Sequence, residues 1–290
     1  MAEPGYAPAP EPLEVGVYDN HTHLDPSGVP GTEKFDYRDH LDLAVRAGVR
    51  GIVQVGTDLE SSIWSADLAA RDPRVLAAVA IHPNDAPLLD GEGTLDAALA
   101  TIDELASRPR VRAVGETGLD YFRTADGGRA AQQRSFEAHI AIAKKHGIAL
   151  QIHDRDAHDD VVETLLRVGA PEKTVFHCFS GDAGLARIAA DNGWYLSFSG
   201  TVTFKNATDL REALDVAPRE LLLVETDAPY LTPSPFRGRL NAPFMLPHTL
   251  RGMAAHLDTD VDELAARITA NSEAVYGSWD AEPTDESSTR

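Results

Sequence analysis

The sequence predicts a single α/β domain folded as a (β/α)8 TIM barrel. Its 290 residues match the usual size of one such barrel with short tails. Short apolar runs alternate with segments that carry apolar residues at helical spacing, as in parallel sheets wrapped by helices. The alternative is an open doubly wound sheet, which usually has a glycine-rich phosphate loop after its first strand. Residues 19–23 read Asp-Asn-His-Thr-His at that point, so the barrel is favoured.

The predicted strands are short and strongly apolar. Residues 50–55 (RGIVQV) and 220–225 (ELLLVE) are almost continuously apolar, which suits strands that helices cover on both faces. The eight predicted strands are 15–19, 51–55, 75–81, 111–115, 149–152, 174–177, 194–198 and 221–225.

The predicted helices lie between these strands, and several of them end at a glycine. Gly48, Gly147, Gly169 and Gly193 fall at helix ends, where a left-handed cap favours glycine. The predicted helical segments are 39–47, 61–71, 94–107, 129–146, 156–168 and 184–192.

Both ends of the chain have the composition of flexible tails. Residues 1–14 are rich in Pro, Ala and Glu, and residues 280–290 read DAEPTDESSTR, so the domain is predicted to span 15–279. A single cysteine excludes a disulfide within the chain, and the N-terminus lacks the pattern of a signal peptide. No apolar stretch approaches the length of a membrane helix. We expect a cytoplasmic monomer without membrane contact or a stable protein partner.

The charge balance is strongly acidic. Lys and Arg total 26 against 46 Asp and Glu, a formal net charge of −20. This charge argues against passive binding to nucleic acid, because neutralising phosphates needs a basic surface. It does not exclude a nucleic-acid substrate, since bound cations and a few local arginines can offset the field in one cleft. Solubility is the simpler interpretation of the charge.

Histidines and carboxylates cluster at the carboxyl ends of the predicted strands, where barrels place their active sites. His21 and His23 follow the first strand, and residues two apart in an extended chain point the same way, so both can reach one cation. Asp19, Asp120 and Glu225 are predicted to support the ligands from nearby. A chance or packing pair is the competing interpretation of the two histidines alone.

Four further ligand candidates follow later strands: Glu116, His153, His177 and Asp227. Glu116 is the candidate for a carboxylate shared between two cations. Asp227 is the candidate for a ligand that also orients a water molecule and accepts its proton. Taken singly, the two carboxylates could be loop caps and the two histidines core residues. Their joint position predicts a site for two divalent cations, either zinc, manganese or magnesium.

Other side chains are candidates for holding a substrate. His82 is predicted to face the cleft without binding the metals directly. Arg155, Arg237 and Arg239 are candidates for clamping a phosphate or carboxylate, with solvated surface charges as the alternative. Cys178 is predicted to face the helices, because adjacent strand residues point opposite ways.

Eight longer motifs occur one after another along the chain. They are DNHTHLD (19–25), IHP (81–83), GETGLDYFR (115–123), QIH (151–153), FHCFSG (176–181), TFKNA (203–207), ETDAPYLTP (225–233) and RGRLNAP (237–243). Together they resemble the TatD family of metal-dependent deoxyribonucleases, which are amidohydrolase-like barrels. The resemblance covers nearly the whole chain, from Asp19 to about Tyr276.

The resemblance implies a two-metal centre and an activity. One metal would be surrounded by His21, His23, Glu116 and Asp227, and the other by Glu116, His153 and His177. The implied reaction is hydrolysis of DNA phosphodiester bonds, here predicted as a 3′-5′ exodeoxyribonuclease, supported by magnesium, manganese or zinc. One position departs from the family pattern, because His82-Pro83-Asn84 stands where the family commonly has His-Pro-His. Asn84 exchanges hydrogen bonds but carries no charge, which bears on substrate contacts rather than on the metals.

Two other functions stay open from the sequence. Activated water does not by itself choose the bond that it attacks, so a small-molecule or aminoacyl-ester hydrolase on the same scaffold is the first alternative. The acidic net charge mildly favours it. The second alternative is a non-catalytic protein that binds metal or nucleic acid, although all six ligand positions are present.

Overall fold

Eight parallel strands form the sheet of the computed structural model, which describes residues 5–25 and 36–280. They are hydrogen-bonded in sequence order from first to last, so the predicted (β/α)8 fold class is confirmed. The strands are β1 (Val17–Thr22), β2 (Val49–Val55), β3 (Val75–Val79), β4 (Val111–Asp120), β5 (Ala149–Arg155), β6 (Thr174–Phe176), β7 (Tyr195–Phe198) and β8 (Leu222–Val224).

Side-chain and loop contacts join the last strand to the first. The Asn20 side chain donates to the Val224 carbonyl at 2.8 Å. Just beyond β8, the Asp227 amide donates to the His21 carbonyl at 2.9 Å. These contacts bring the carboxyl ends of β1 and β8 together, so two predicted ligands that are 206 positions apart in the numbering become neighbours.

Ten α-helices lie among the described residues, and six of them coincide with predicted helical segments. The other four, α3, α8, α9 and α10, lie where no helix was predicted. The helices are α1 (Tyr37–Arg46), α2 (Leu59–Arg71), α3 (Ala86–Gly91), α4 (Leu95–Ala106), α5 (Asp126–His146), α6 (His158–Val168), α7 (Ala183–Asp191), α8 (Thr208–Val216), α9 (Leu246–His256) and α10 (Val261–Tyr276). None of these helices has both the length and the apolar character needed to cross a membrane.

Three strands run further at their carboxyl ends than the sequence predicts, and β1 is one of them, because it ends at Thr22 rather than at residue 19. β4 continues past residue 115 to Asp120, and β5 continues past residue 152 to Arg155. The two extensions pair with each other, with Asp120 opposite Arg155 at the end of the ladder. The extra residues are largely polar, so an apolar run could not reveal them, but their backbones satisfy each other across the pair.

The apolar residues separate into two clusters. The larger cluster packs helices against the outside of the sheet and includes Phe136 of α5 and Leu250 of α9. The smaller one includes Val53 and Val55, two residues apart on β2, together with Trp279 near the chain end. Because alternate strand residues point to one face, this smaller cluster fills the inside of the barrel.

The described part of the N-terminal segment lies against the barrel. Tyr6 forms an isolated bridge with Leu240, and Leu13 is buried. The Arg251 guanidinium donates to the carbonyls of Glu11 and Pro12 at 2.9 and 3.1 Å. Residues 1–4 and 281–290 of the two predicted tails lie outside the described residues.

Candidate metal centre

Six side chains from five strand ends meet at the carboxyl end of the barrel. His21 is fully buried, and Glu116, His177 and Asp227 are nearly so. The carboxyl ends of parallel strands meet at one rim of the barrel. His177 and Asp227 lie just after β6 and β8, and they reach the same rim. The structure therefore brings together all six residues that the sequence nominates as ligands: His21, His23, Glu116, His153, His177 and Asp227.

The first set of donor atoms comes from both histidines of the β1 motif and two carboxylates. The Nε2 atoms of His21 and His23 lie 3.2 Å apart. Glu116 Oε2 is 3.5 Å from His21 Nε2, and Asp227 Oδ1 is 3.5 Å from His23 Nε2. Ligands at 2.0–2.2 Å around a tetrahedral zinc ion lie about 3.4 Å from each other. These four atoms therefore have the spacing of ligands around one divalent cation.

The second set lies on the other oxygen of the same glutamate. Glu116 Oε1 is 2.6 Å from His153 Nδ1 and 2.8 Å from His177 Nε2. His82 Nε2 is also near this oxygen, at 3.4 Å. One carboxylate thus faces two groups of histidines, with one oxygen directed to each group. A carboxylate in this position can bridge two cations and reduce their mutual repulsion.

His82 lies closer to the donor atoms than the sequence suggests. Together with Glu116 and His153 it forms a group of side chains that can hold a metal ion. It lines the cavity, as predicted, and its ring packs edge-on against the ring of His153 with centroids 4.6 Å apart. The geometry therefore allows His82 to act either on a substrate or as a further metal ligand.

Each ligand histidine is held through its outer ring nitrogen. His21 Nδ1 donates to Gln151 Oε1 at 3.1 Å, and His23 Nδ1 donates to the Val55 carbonyl at 2.9 Å. Because an amide oxygen can only accept, these bonds place the proton on Nδ1 and leave the Nε2 lone pair free for a metal. Gln151 also donates to Tyr276 Oη at 2.7 Å, which fixes its own orientation.

The other two histidines meet carboxylates in the same way. Asp120 Oδ2 lies 3.1 Å from His153 Nε2, and Glu225 Oε1 lies 3.2 Å from His177 Nδ1. Both acids were predicted to support the ligands, and the structure places them against the histidine rings. Carboxylates at this distance orient a ligand imidazole and raise its basicity.

Asp19 contacts the backbone that carries a ligand rather than a ligand ring. Its carboxylate accepts from the Thr226 amide at 2.9 Å and from Thr226 Oγ1 at 2.5 Å. Burial raises the pKa of Asp19 to about 8, against the lowering effect of these two hydrogen bonds. Asp19 therefore anchors the segment after β8 from which Asp227 projects.

Opposite charges and burial together shift the pKa values within the centre. Burial alone would raise the pKa of Glu116, but the charges of His177 and His82 and a hydrogen bond from His153 hold it well below its usual range. Burial alone would lower the pKa of His23, yet Asp227 raises it to about 9. Divalent cations displace such protons on binding, because ligand imidazoles must be neutral.

The centre opens into one large cavity of about 940 Å³. Aromatic side chains form part of its wall, namely Tyr6, Tyr37, Trp64 and Tyr230. Seven carboxylates also line it: Asp25, Asp36, Asp85, Glu116, Asp120, Asp154 and Asp227. Among the described lining residues, the lysines and arginines are limited to Arg123 and Arg155.

The three arginines nominated from the sequence occupy different places. Arg155 lines the cavity. Arg237 stacks over the ring of Phe204, with its guanidinium carbon 3.9 Å from the ring centre, and Arg239 donates to the Tyr6 carbonyl at 3.4 Å. Neither of these two is among the described residues that line the cavity. Arg123 also lines the cavity, although it was not among the predicted substrate-binding residues. Its place three residues after Asp120, in the motif at residues 115–123, was the available signal.

Cys178 does not face the helices, and that prediction was wrong. β6 ends at Phe176, so the alternation of strand side chains no longer applies at Cys178. The backbone turns there, with a positive φ of 40°, and the thiol lines the cavity, 3.3 Å from Ser199 Oγ. Burial raises the pKa of this thiol well above its usual range, which keeps it protonated and a poor nucleophile.

Asn84 occupies the wall of the cavity beside the second set of donor atoms. Its amide nitrogen donates to Asp120 Oδ2 at 3.2 Å, and its amide oxygen accepts from Thr124 Oγ1 at 3.2 Å. Asp120 in turn contacts His153. The amide therefore takes part in holding the ligands in place, although it brings no charge to the cavity.

Comparisons with known proteins identify the family to which the chain is related. A family described as TatD related DNase matches residues 18–277. An uncharacterized metal-dependent hydrolase TatD of Mycobacterium tuberculosis is 45% identical over 265 residues, covering 90% of this chain and 98% of that protein. The 3'-5' ssDNA/RNA exonuclease TatD of Salmonella typhimurium is 34% identical over 248 residues, covering 83% and 93%.

A solved structure extends the agreement to three dimensions. The TatD homologue YJJV of Escherichia coli K12 superposes with a TM-score of 0.81 at 28% identity, covering 90% of this chain and 98% of the other. The family match spans all eight strands except the first residue of β1, and it includes every candidate ligand. The chain therefore belongs to the TatD family of metal-dependent hydrolases.

Proposed function

We propose that this protein is a two-metal nuclease that hydrolyses phosphodiester bonds of single-stranded DNA from the 3′ end. The observation that carries the proposal is the position of Glu116, whose two oxygens face two separate sets of donor atoms. The Salmonella relative, named as a 3'-5' exonuclease for single-stranded DNA and RNA, supports the choice of substrate and polarity.

The proposed ligand sets follow the two oxygens of Glu116. His21, His23 and Asp227 would join Oε2 around one cation, and His153 and His177 would join Oε1 around the other. When bound, divalent cations at such a centre lower the pKa of water toward neutrality and offset the charge of an ester under attack. Magnesium, manganese and zinc are all compatible with imidazole and carboxylate donors in this mixture.

The chain supplies a proton acceptor at the cavity wall. Asp227 lines the cavity, and its Oδ1 lies 3.5 Å from His23 Nε2. This position supports a role in which the Asp227 carboxylate accepts a proton from the attacking water while it remains next to the donor atoms. Asp19 supports this role indirectly, because it holds the preceding residue, Thr226, through two hydrogen bonds.

The test is hydrolysis of end-labelled single-stranded DNA by protein loaded with magnesium, manganese or zinc. The Asp227→Asn variant is expected to lose a factor of about 10²–10⁴ in kcat, which is the usual loss when a general base is removed. It is also expected to remain folded. Asp191→Asn, at the exposed end of α7, is the matched control and should keep the parent rate. Absence of nucleotide release with all three metals would refute the nuclease proposal.

A second candidate is a hydrolase for small-molecule or aminoacyl esters. The net charge of −20 and the uncharged Asn84 in the cavity wall favour it, because both weaken attraction for a polyanion. Turnover of a carboxylic ester by protein that leaves every oligonucleotide intact would support this candidate over the nuclease.

A further inference from the structure

The β4–β5 extension continues beyond the metal centre, because Glu116 and His153 stand on the two strands before their last residues. The ladder ends with Asp120 opposite Arg155, and the Tyr121 amide donates to the Arg155 carbonyl at 2.9 Å. Tyr121 is anchored in turn, because its hydroxyl donates to Asp160 at 2.5 Å and the Arg129 guanidinium lies over its ring. The extension is thus a fixed structure that presents the residues following it at the edge of the cavity.

Three side chains at or just after the end of this extension, Phe122, Arg123 and Arg155, combine an aromatic ring with two cations. The guanidinium carbon of Arg155 lies 3.9 Å from the centre of the Phe122 ring. Phe122 is 64% exposed, so the ring is covered on one side by a cation and remains accessible elsewhere. The adjacent residue, Arg123, is exposed and lines the cavity. An exposed phenylalanine alone is common on protein surfaces, so its position beside two arginines is the informative feature.

Neither arginine is engaged by a carboxylate among the residues that the structure describes. Both nevertheless lie in a cavity lined by seven acidic side chains. An anion that enters this cavity is repelled by these carboxylates and attracted by bound cations and by Arg123 and Arg155. A chain of phosphates held at the metal centre would therefore extend toward this pair.

The surface is also connected to the metal centre through one carboxylate. Asp120 Oδ1 accepts from the Arg123 amide at 2.8 Å, while Asp120 Oδ2 lies 3.1 Å from His153 Nε2. The position of Arg123 relative to His153 is therefore fixed by a single intervening residue. A phosphate bound by Arg123 would therefore lie within the reach of one arginine side chain from this anchored backbone.

On the basis of the proposed nuclease function, we propose that Phe122, Arg123 and Arg155 form a nucleotide platform. The two guanidiniums bind the two phosphates nearest the scissile one, one phosphate each, and the Phe122 ring stacks on the base of the adjoining nucleotide. Stacking on an aromatic side chain tolerates any base, and arginine contributes phosphate contacts and cation–π attraction, so the platform fits single-stranded DNA without sequence preference.

The platform is tested by comparing two substrates in the metal-loaded enzyme. One is a single-stranded oligonucleotide of about eight nucleotides. The other is bis(p-nitrophenyl) phosphate, which is too small to reach from the metal centre to the platform. Phe122→Ala and Arg155→Gln are each expected to raise KM for the oligonucleotide about tenfold with little change in kcat. The loss of kcat/KM should be about tenfold greater for the oligonucleotide than for the small diester. Phe122→Trp should keep the KM of the parent protein for the oligonucleotide, because a tryptophan ring also stacks on a base.

The controls are one exposed apolar side chain and one exposed arginine, both outside the cavity. Leu166→Ala on α6 removes an apolar side chain that is 59% exposed, and Arg187→Gln removes a charge on α7. Equal losses on both substrates, or an unchanged KM for the oligonucleotide, would overturn the platform and leave the nuclease proposal standing. Parent protein that hydrolyses the small diester but no oligonucleotide would overturn the nuclease proposal itself.

Discussion

His139 shows how a single buried histidine can make the stability of this barrel depend on pH. It lies on α5 and is fully buried. Its Nδ1 donates to the Ser135 carbonyl at 2.7 Å, and its Nε2 accepts from the Ile81 amide at 3.1 Å. Burial, opposed weakly by the Ser135 contact, lowers the pKa of His139 to about 4. The neutral ring is therefore part of the native hydrogen bonding.

The sign of the pH effect follows from this lowered pKa. Between pH 6.5 and about 4 the unfolded chain binds a proton at this position and the native state does not, so acidification favours unfolding. The stabilisation is complete above about pH 6.5 and is lost as the pH falls toward 4. From pH 7.5 to pH 5 we expect a loss of about 2 kcal/mol from His139.

Denaturant unfolding of the parent and of His139→Gln isolates this contribution. Glutamine does not titrate, so the stability difference between the two proteins should shrink by about 2 kcal/mol over that pH interval. Other titrating groups act equally on both proteins and cancel. A difference that stays constant with pH would mean that His139 has an ordinary pKa in the native state.

At the level of residues, the sequence predicted the metal-binding types and the acidic residues that support them, but it did not reveal the supporting amide of Gln151. His21, with its partner two residues on, could be nominated because imidazoles at strand ends carry a chemical signal. Gln151 could not, because an amide has no such signal and its contact with His21 joins residues 130 positions apart. Cys178 was assigned to the wrong side because the end of β6 could not be located from an apolar pattern.

At the level of elements, the segment after α10 covers the end of the barrel at which β1 and β2 begin. Trp279 is 5% exposed and stacks on Tyr18 of β1, with ring centroids 3.8 Å apart and an interplanar angle of 12°. Its indole Nε1 donates to the Ile52 carbonyl at 3.2 Å. A Cβ added at Gly51 would lie 2.6 Å from the indole ring, so glycine is needed there for the ring to pack.

Trp279→Ala is therefore expected to destabilise the protein by about 3–5 kcal/mol, the usual loss for removing a buried aromatic ring. Urea unfolding followed by circular dichroism measures it. Trp279→Phe keeps most of the ring contact and loses the indole hydrogen bond, so a smaller loss is expected. A loss below about 1 kcal/mol for the alanine variant would mean that the segment does not contribute to the core.

Some strands can be predicted from their own run of apolar residues, whereas others form only because they pair with a neighbouring strand. β2 is almost wholly apolar and buried, and its predicted and observed ends agree within two residues. The outer halves of β4 and β5 exist because they pair with each other, with Asp120 opposite Arg155. Pairing between polar segments leaves no hydrophobic period in either one, so the extension that precedes Phe122 could not be foreseen.

At the level of the whole molecule, alternation of strands and helices predicted the barrel, and closure of the barrel assembles the site. The ladder runs in order from β1 to β8, and the contacts of Asn20 and Asp227 join its ends. An open sheet would leave Asp227 far from His21 and the first donor set incomplete. The clustered ligand types in the sequence are thus an indirect indication that the sheet closes.

The net charge of −20 leads to a last prediction, which concerns salt. Affinity for single-stranded nucleic acid falls with salt by a log–log slope of about 0.7 for each phosphate that the protein neutralises. Arg123 and Arg155 are the lysine and arginine side chains that the described cavity wall offers, so about two phosphates are engaged by them. A plot of log KM for an oligonucleotide against log potassium chloride concentration should rise with a slope of about 1.4, and Arg155→Gln should lower it by about 0.7. A parent slope above about 4 would require about six neutralised phosphates and would contradict binding by a small cationic patch in an otherwise acidic protein.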